Sequence, residues 1–301
     1  MKNSNKINYS LKSAFSLVEI AMVILIIGIL ISGISSGVDL YDDYKLKIAQ
    51  NLTKNSRVGR IEDLEIWLET TSEDGFAIGT DPYLNLSEIP NNGTKIGLWR
   101  DINPKLISEN RFNIFRNNTS NAQPTYTRIG INSLPALKFD YNDYLYTYNY
   151  QSRLNSTKFS TFLVMNHDNL GTASYNFVLY SRPSGIGGYS LLIQKLTNNI
   201  QSLNYMVGSS VWQGSTAIVK SIEVPIIVSF IFDGKNSKLY RNGVEYSTSF
   251  TGSYSLNTNS QTYLAPRGYF GEFIYFSRDL IDKERQDVEN YLSKKWAIKL
   301  G

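Results

Sequence analysis

Residues 15–34, FSLVEIAMVILIIGILISGI, form the most apolar stretch of the chain and decide its organisation. In an α-helix these 20 residues would measure roughly 30 Å, the thickness of the hydrocarbon core of a bilayer. We therefore predict a membrane-spanning helix. Glu19 lies inside this span, where an uncompensated charge costs about 2.5–3.5 kcal/mol at the bilayer centre. A carboxylate in such a place predicts a functional role for Glu19.

The residues in front of this span are basic. The segment MKNSNKINYSLKSA at residues 1–14 carries Lys2, Lys6 and Lys12, has no acidic residue and ends in the small residue Ala14. A secretory signal peptide has its small-residue cleavage site after the apolar region. Here the small residue precedes the apolar region, so the order of the segments argues against ordinary secretion.

The sequence AFSLVE at residues 14–19, followed by an apolar helix, resembles the cleavage and methylation motif of type IV prepilins and pseudopilins. The resemblance implies that a prepilin peptidase/N-methyltransferase cuts between Ala14 and Phe15 and methylates the new amino group. It also implies that Glu19 serves assembly with other pilin or pseudopilin subunits. Most of that family has glycine where this chain has Ala14.

A charge pair between subunits would explain Glu19. If the chain begins at Phe15, its new amino group is a cation. The Glu19 carboxylate of one subunit would neutralise the Phe15 amine of its neighbour in a medium that tolerates neither charge alone. The alternative is a plain signal anchor in which Glu19 reaches the membrane interface.

The composition favours a β-rich domain after the helix. Aromatic residues make up 13% of the chain, with 21 Tyr and 14 Phe, and such residues are enriched in strands. The leader lysines supply +3 of the formal net charge of +4, so the remaining near-neutral chain predicts no nucleic-acid partner. With no Cys and one His, a zinc site of the usual ligand set is excluded.

The pattern along the chain predicts three segments. Residues 1–14 are a leader, and residues 15–56 are one helix whose second half leaves the membrane, because its apolar residues keep a spacing of three and four. A turn is predicted at residues 53–59. Residues 61–301 are long enough for a single β-sandwich domain.

Strand-like segments without intervening helices predict an antiparallel sandwich or barrel for this head. The Asn242-Gly243 pair predicts a hairpin with an exposed tip. A closing helix is predicted to be capped by Asp282 and to run through Lys295. The predicted strands lie at residues 61–68, 159–165, 175–180, 188–194, 202–207, 225–232 and 268–276.

The head resembles the laminin-G or concanavalin A-like jelly roll of bacterial surface proteins. The resemblance rests on short motifs in order: WL at 67–68, WRD at 99–101, LPALKFD at 134–140, DYL at 143–145, LYRNG at 239–243, GEFIYFSRDL at 271–280 and ERQDVENYLSKKW at 284–296. It departs from that family at Tyr141, where glycine is frequent. The expected fold class is therefore a long N-terminal helix, an all-β antiparallel jelly roll and a short C-terminal helix.

Some jelly rolls of this kind hydrolyse glycans with two carboxylates, which lie about 5–5.5 Å apart in retaining enzymes. The acidic residues at the entry to the domain, Glu62, Asp63 and Glu65, lack the order of such a set and are expected to be surface carboxylates. Glu272 is expected to stand alone on its strand, and His167 is expected in a turn. We therefore predict that the head is not an enzyme.

Binding of a glycan is the better expectation for the head. Tyr144, Tyr146 and Tyr148 alternate onto one face of a strand, and Trp212 adds another aromatic group. The alternative is cross-strand packing of these rings. The jelly-roll resemblance would allow calcium in the DYND segment at residues 140–143, but this is equally an ordinary turn, so no cofactor is predicted.

These observations predict a type IV pilin-like subunit. Its precursor would cross the bacterial inner membrane once, with the head in the periplasm, and would later reach the cell surface in a filament. The lectin-like head would serve adhesion or filament packing. Three alternatives stay open: a pseudopilin of a type II secretion system, a membrane-anchored glycan-binding protein and a membrane-tethered glycosidase.

Overall fold

The computed structural model describes residues 16–77, 89–106, 115–147, 154, 156–168, 175–181, 189–197, 200–207, 213–219, 224–246 and 262–301. The chain divides into two compact units, Met1–Tyr44 and Lys45–Gly301. The first unit holds most of a long helix. The second holds the last turns of that helix and the whole head.

Helix α1, Leu17–Asn55, is 39 residues long. The predicted continuation beyond the span is confirmed, and the helix extends three residues into the segment predicted as a turn, residues 53–59. Within the described part of the chain, α1 is the one helix long and apolar enough to cross a membrane. Its large apolar side chains up to Ile34 are all exposed, from 48% at Ile27 to 86% at Leu17.

The described strands form two antiparallel sheets. The first sheet has the order β15-β14-β13-β8-β17-β6-β5, and β1 also pairs with β17. The second has the order β12-β11-β10-β9-β16-β7-β4-β3-β2. The strands are β1 Leu64–Glu69, β2 Phe76–Ala77, β3 Leu98–Trp99, β4 Phe115–Arg116, β5 Thr125–Ile131, β6 Leu134–Phe139, β7 Leu145–Tyr146, β8 Phe159–His167, β9 Tyr175–Ser181, β10 Tyr189–Thr197, β11 Ile200–Val207, β12 Gln213–Val219, β13 Ile226–Phe232, β14 Ser237–Arg241, β15 Val244–Glu245, β16 Thr262–Leu264 and β17 Gly268–Phe276.

The central strands of the first sheet, β8, β13 and β17, are buried on both faces. Leu163 and Met165 of β8 face the second sheet and belong to the core between the sheets. Phe162 and Val164 face the other way, into a second apolar layer that also contains Ala49 of α1 and Trp296. Burial on both faces explains why β8 reads as a nearly continuous apolar run. The predicted fold class, a long N-terminal helix followed by an antiparallel sandwich with a short C-terminal helix, is confirmed.

Helix α2, Asp282–Trp296, packs on the outer face of the first sheet. Val288, Leu292 and Trp296 are fully buried, as their spacing of four predicts. The prediction that Asp282 caps the helix is wrong, because Ile281 holds the N-cap position. The Ile281 N–H group donates to the Glu284 carboxylate at 3.3 Å. A side chain from the first turn of the helix therefore supplies the hydrogen-bond acceptor for the N-cap N–H group.

Two tight turns, which join strands at opposite edges of the first sheet, touch the end of α2 and the residues that follow it. The predicted Asn242-Gly243 turn is present, with φ of 49° and 79°. Its tip is only half exposed, contrary to the prediction, because the Asn242 carbonyl accepts the Gly301 N–H at 2.8 Å. In the β5–β6 turn, Asn132 has φ 49° and its amide donates to the Trp296 carbonyl at 2.7 Å.

Gly271 interrupts the pairing of β17 with β8 as a bulge, since the register shifts between Phe270 and Glu272. A Cβ atom at Gly271 would lie 2.5 Å from the Trp296 ring. We expect Gly271→Ala to lower the free energy of unfolding by about 1–3 kcal/mol, because overpacking forces the ring or the strand to move. Chemical denaturation measures this, and an unchanged midpoint would contradict it.

Candidate functional site

Glu19 caps the first turn of α1. The Ser16 N–H donates to Glu19 Oε2 at 2.7 Å, and the Glu19 N–H donates to Ser16 Oγ at 3.2 Å. This reciprocal pair is a capping box, which satisfies N–H groups that the helix itself leaves unpaired. The Ser-x-x-Glu spacing signals this capping box in the sequence, and the box is a role of Glu19 beyond the predicted contact between subunits and the alternative contact with the membrane interface.

The two residues predicted for processing, Ala14 and Phe15, lie outside the described residues. Their cleavage and methylation stay predictions. The Glu19 carboxylate is exposed at the start of the exposed apolar helix, so it remains accessible to a second chain. Its cap within the helix and a contact with another subunit would therefore compete for the same oxygens.

A cluster of half-exposed tyrosines lies on the second sheet. Tyr146 of β7, Tyr263 of β16 and Tyr180 of β9 are direct neighbours across three adjacent strands. Tyr144 joins them, with ring centroids 6.1 Å from both Tyr146 and Tyr263. Leu145 is buried, so the alternation predicted for this segment is confirmed. The tyrosine cluster is Tyr144, Tyr146, Tyr180 and Tyr263.

The rings of the tyrosine cluster pack against one another. Tyr180 and Tyr263 are stacked, with centroids 5.0 Å apart and planes 8° apart. Each ring of this stacked pair covers one face of the other. The cross-strand packing that the sequence left open as the alternative is therefore present, and glycan binding by Tyr144 and Tyr146 stays a prediction. Tyr148 and Trp212, also predicted to bind a ligand, lie outside the described residues.

Burial raises the pKa of Tyr180 and of Tyr263 above the ordinary phenol value, and the neighbouring tyrosines raise both further. Burial also raises the pKa of Tyr126, Tyr240 and Tyr291. The hydroxyls of Tyr180 and Tyr263 therefore stay protonated, as hydrogen-bond donors, beyond the ordinary phenol pKa of about 10.

These shifts predict an alkaline limit to stability. A phenol whose folded pKa is raised contributes stability that is complete below the unfolded value of about 10 and is lost as pH rises through the folded pKa. We expect the free energy of unfolding to fall from about pH 10 upward, and less steeply in the Tyr263→Phe variant. Denaturation at a series of pH values measures both slopes; equal slopes would contradict the assignment to Tyr263.

The buried carboxylate of the DYND turn, that of Asp143, contacts a backbone N–H group of the same turn and a nearby lysine. Asp143 Oδ2 accepts the Asp140 N–H at 2.9 Å and lies 3.9 Å from Lys95 Nζ. Burial raises the pKa of Asp143, against the opposing effects of that N–H group and of Lys95. Tyr141, where the resembled family often has glycine, is exposed. Among the described residues no group of three or more acidic or histidine side chains could hold a metal ion.

His167 is not in a turn as predicted. It is the last residue of β8, it is 6% exposed, and its Nε2 lies 3.2 Å from Asn176 Oδ1. Burial lowers the pKa of His167. Asp63 and Glu65 take part in surface contacts, as expected: Asp63 lies 3.6 Å from Arg278 and Glu65 accepts a hydrogen bond from Ser277.

Glu272 does not stand alone, which corrects the sequence prediction. It lies directly opposite Glu69 in the pairing of β17 with β1. Like charges placed opposite each other destabilise a sheet, and Lys295 of α2 offsets this. Lys295 Nζ lies 2.8 Å from Glu69 Oε2 and 3.0 Å from Glu272 Oε2. All three side chains have 0% exposure; we call Glu69, Glu272 and Lys295 the buried ion cluster.

Aromatic side chains complete the buried ion cluster. Trp67 Nε1 and the Tyr291 hydroxyl donate to Glu272 Oε1 at 2.7 and 2.8 Å. Trp296 Nε1 donates to Glu272 Oε2 at 2.8 Å. The Tyr291 hydroxyl also lies 3.0 Å from Thr53 Oγ1 on the last turns of α1. The cluster thus connects β1, β17, α2 and the end of α1.

A cleft of 660 Å³ opens beside the buried ion cluster. Its walls carry charges of both signs, and Lys47 lies 3.5 Å from Glu73 across it. The side-chain amide of Gln50, another lining residue, donates to the Thr71 carbonyl at 3.0 Å. The lining residues are Lys47, Gln50, Asn51, Thr53, Lys54, Trp67, Glu69, Ser72, Glu73, Asp74, Ile102 and Pro104.

No family model and no curated protein matches this chain. Solved structures do match. Domain 4 of AbnA, an extracellular arabinanase from Geobacillus stearothermophilus in complex with arabinotriose, is 17% identical with a TM-score of 0.44; the match covers 56% of this chain and 81% of that domain. Trypanosoma rangeli sialidase in complex with the inhibitor DANA is 15% identical with a TM-score of 0.43 and coverages of 66% and 31%.

A third similar structure is the full-length tailspike protein 2 from Escherichia coli O157:H7 bacteriophage CAB120. It is 11% identical with a TM-score of 0.44, and the match covers 60% of this chain and 27% of the tailspike. This chain therefore spans less than a third of the sialidase and of the tailspike. Two of the three matched structures contain a carbohydrate or an enzyme inhibitor, and what the three share with this chain is similarity of fold.

Proposed function

We propose that this chain is a type IV pilin-like subunit that is cut before Phe15, methylated there and assembled through α1. The observation that carries the proposal is the exposure of every large apolar side chain of α1 up to Ile34. Exposed apolar surface of this extent belongs against lipid or against other proteins. A cut before Phe15 would leave Glu19 in the first turn of the mature helix, beside the new amine.

The glycines of α1 support packing between helices. A Cβ atom at Gly28, Gly33 or Gly37 would meet nothing within 4 Å. In membranes, small residues at a spacing of four let helix backbones approach closely, and Gly33 and Gly37 have that spacing. The same surface would contact lipid while the subunit is in the membrane and other helices once it is in a filament.

The end of α1 is anchored to the head, as a stem requires. Ala49 is buried in the apolar layer outside the first sheet. Gln50 and Thr53 form hydrogen bonds with Thr71 and Tyr291. These contacts join the last turns of α1 to the head, so a subunit that assembles through the apolar half of α1 would bring its head with it.

Mass spectrometry of the protein purified from membranes or filaments tests the proposal. We expect an N-terminal peptide that begins with Phe15 and carries a methyl group. As a control, Ala14→Leu places a large side chain directly before the cleavage site. This variant should not be cut, so residues 1–14 should stay attached. A wild-type protein that keeps its leader would overturn the assembly proposal and favour a membrane-anchored binding protein. The neighbouring genes would separate a pilin from a pseudopilin.

For the head we propose glycan binding through the hydroxyls of the tyrosine cluster, in support of adhesion. The specific observation is the row of half-exposed phenols across three strands, in which Tyr180 and Tyr263 stack on each other. A glycan array probed with the full chain in detergent tests this. A hydrogen bond contributes about 0.5–1.5 kcal/mol, so Tyr180→Phe and Tyr263→Phe should each weaken binding about threefold to tenfold while the stacking is kept. Binding that survives both changes would exclude this surface.

A further inference from the structure

The Lys295 amine contacts two carboxylates in a place that water does not reach. Its Nζ lies 2.8 Å from Glu69 Oε2 and 3.0 Å from Glu272 Oε2, and all three side chains have 0% exposure. In water, hydration keeps an ammonium and a carboxylate as separate ions. Excluding water removes that hydration and also removes the reactant that would hydrolyse an amide between them.

The two carboxylates are held differently. Glu272 Oε1 accepts hydrogen bonds from Trp67 and Tyr291, and Glu272 Oε2 accepts one from Trp296 and forms an ion pair with Lys295 Nζ at 3.0 Å. In Glu69, every contact goes to Oε2, and Oε1 is buried without a hydrogen-bond partner. Glu272 is therefore held at both oxygens, whereas one Glu69 oxygen is free to leave.

Thr71 supports the Glu69 oxygen that would stay. The Thr71 N–H donates to Glu69 Oε2 at 2.7 Å, and the Thr71 hydroxyl donates to the same atom at 2.5 Å. Attack of an amine on a carboxyl carbon places negative charge on the retained oxygen. Two donors aimed at that oxygen stabilise such charge in the manner of an oxyanion hole.

We propose that Lys295 and Glu69 condense to an amide that cross-links α2 to β1. Lys295 Nζ passes a proton to Glu272, and its lone pair forms a bond with the Glu69 carboxyl carbon. The bond from that carbon to Oε1 then breaks, and Oε1 leaves as water with two hydrogens that began on the Lys295 ammonium. Glu272 ends as the carboxylate it was at the start. One ammonium and one carboxylate become one amide and one water, and no oxidant or activated donor is needed.

The buried ion cluster lies next to a cleft. Glu69 and Trp67 line this 660 Å³ cleft, so the reaction would release its water on the side of the cluster nearest to solvent. The link would join residues 226 positions apart and would close nearly the whole head into one covalent loop. In a chain with no cysteine, such a bond would do what a disulfide does elsewhere.

Digestion with trypsin followed by mass spectrometry tests the proposal on the full chain purified in detergent. If the link forms, residues 61–95 appear joined to residues 295–299 and lighter by one water than the two separate peptides, because a modified Lys295 is not cleaved. If it does not form, residues 296–299 are released as WAIK. Complete release of WAIK from the folded wild-type protein overturns the proposal.

Four variants separate the chemistry from simple burial. Lys295→Arg keeps the positive charge without the amine and should give no link, and Glu69→Ala removes the carboxyl group with the same result. Glu272→Gln keeps the shape but takes no proton, so linking should slow at least tenfold; linking at the wild-type rate would refute the role of Glu272. Lys283→Arg, in an exposed pair with Asp287 on the same helix, is the matched control and should link normally.

Discussion

Replacing Lys295 with methionine should lower the free energy of unfolding of the head by about 3–5 kcal/mol, because it leaves two carboxylates buried opposite each other without a cation. Glu69 and Glu272 are fully buried and are direct neighbours across β1 and β17, so neither can turn toward solvent. Chemical denaturation of the full chain in detergent gives the change. A loss below about 1 kcal/mol would contradict this prediction.

The control for this experiment removes all three charges together. In the triple variant Glu69→Gln, Glu272→Gln, Lys295→Met, the uncompensated charges are gone while the side-chain volumes are nearly kept. Replacing a whole buried ion cluster is often close to neutral for stability, so this variant should recover the part of the loss that the unpaired charges cause. Neither variant can form the proposed amide, so a triple variant as unstable as Lys295→Met would assign the loss to the missing link or to the hydrogen bonds with the aromatic side chains, and not to the charges.

Replacing Glu19 with alanine or with glutamine should reduce the number of subunits found in filaments by about 100-fold. An amine left without its carboxylate in the membrane-like interior costs about 2.5–3.5 kcal/mol, and each 1.4 kcal/mol is a factor of ten. Quantitative mass spectrometry of sheared filaments measures the incorporation. Circular dichroism and thermal unfolding of both variants should match the wild type, because Glu19 lies outside the unit that forms the head.

The pair of Glu19 variants separates two roles of the same side chain. Glutamine keeps an oxygen that can accept the Ser16 N–H of the capping box, but it has no charge. Ser16→Ala removes the hydroxyl of the box and keeps the charge. If charge pairing between subunits matters, Glu19→Gln fails to assemble and Ser16→Ala assembles; the opposite result would assign the effect to the helix cap.

The elements that could be predicted are those whose signal is local. The apolar span, the two-face apolar runs of β8, β13 and β17, and the spacing on one face of α2 each depend on residues near one another in the chain. The strand β12, Gln213–Val219, was not predicted, because its small and polar residues give no alternation. The half-buried Asn242 tip was mispredicted because the segment that covers it lies almost 60 positions further along the chain.

The candidate sites required register and strand order, which a single sequence does not contain. Glu69 and Glu272 become neighbours only when β1 pairs with β17 in one register. Tyr144 and Tyr146 are joined by Tyr180 and Tyr263 because β16 lies between β7 and β9 in the second sheet. In both cases the sequence signalled single members of the group, and pairing of distant strands supplied the rest.

The hydrogen bonds from the Asn132 amide to the Trp296 and Ala297 carbonyls, at 2.7 and 3.3 Å, have a consequence for how the head opens. The last turn of a helix usually frays, and its amide hydrogens exchange with solvent quickly. Here the β5–β6 turn holds the last turn of α2 in place. Lifting this end of α2 would expose Lys295 and the carboxylates of Glu69 and Glu272 beneath it. The amides of α2 should therefore exchange only when the whole head unfolds, at the same slow rate as those of β17.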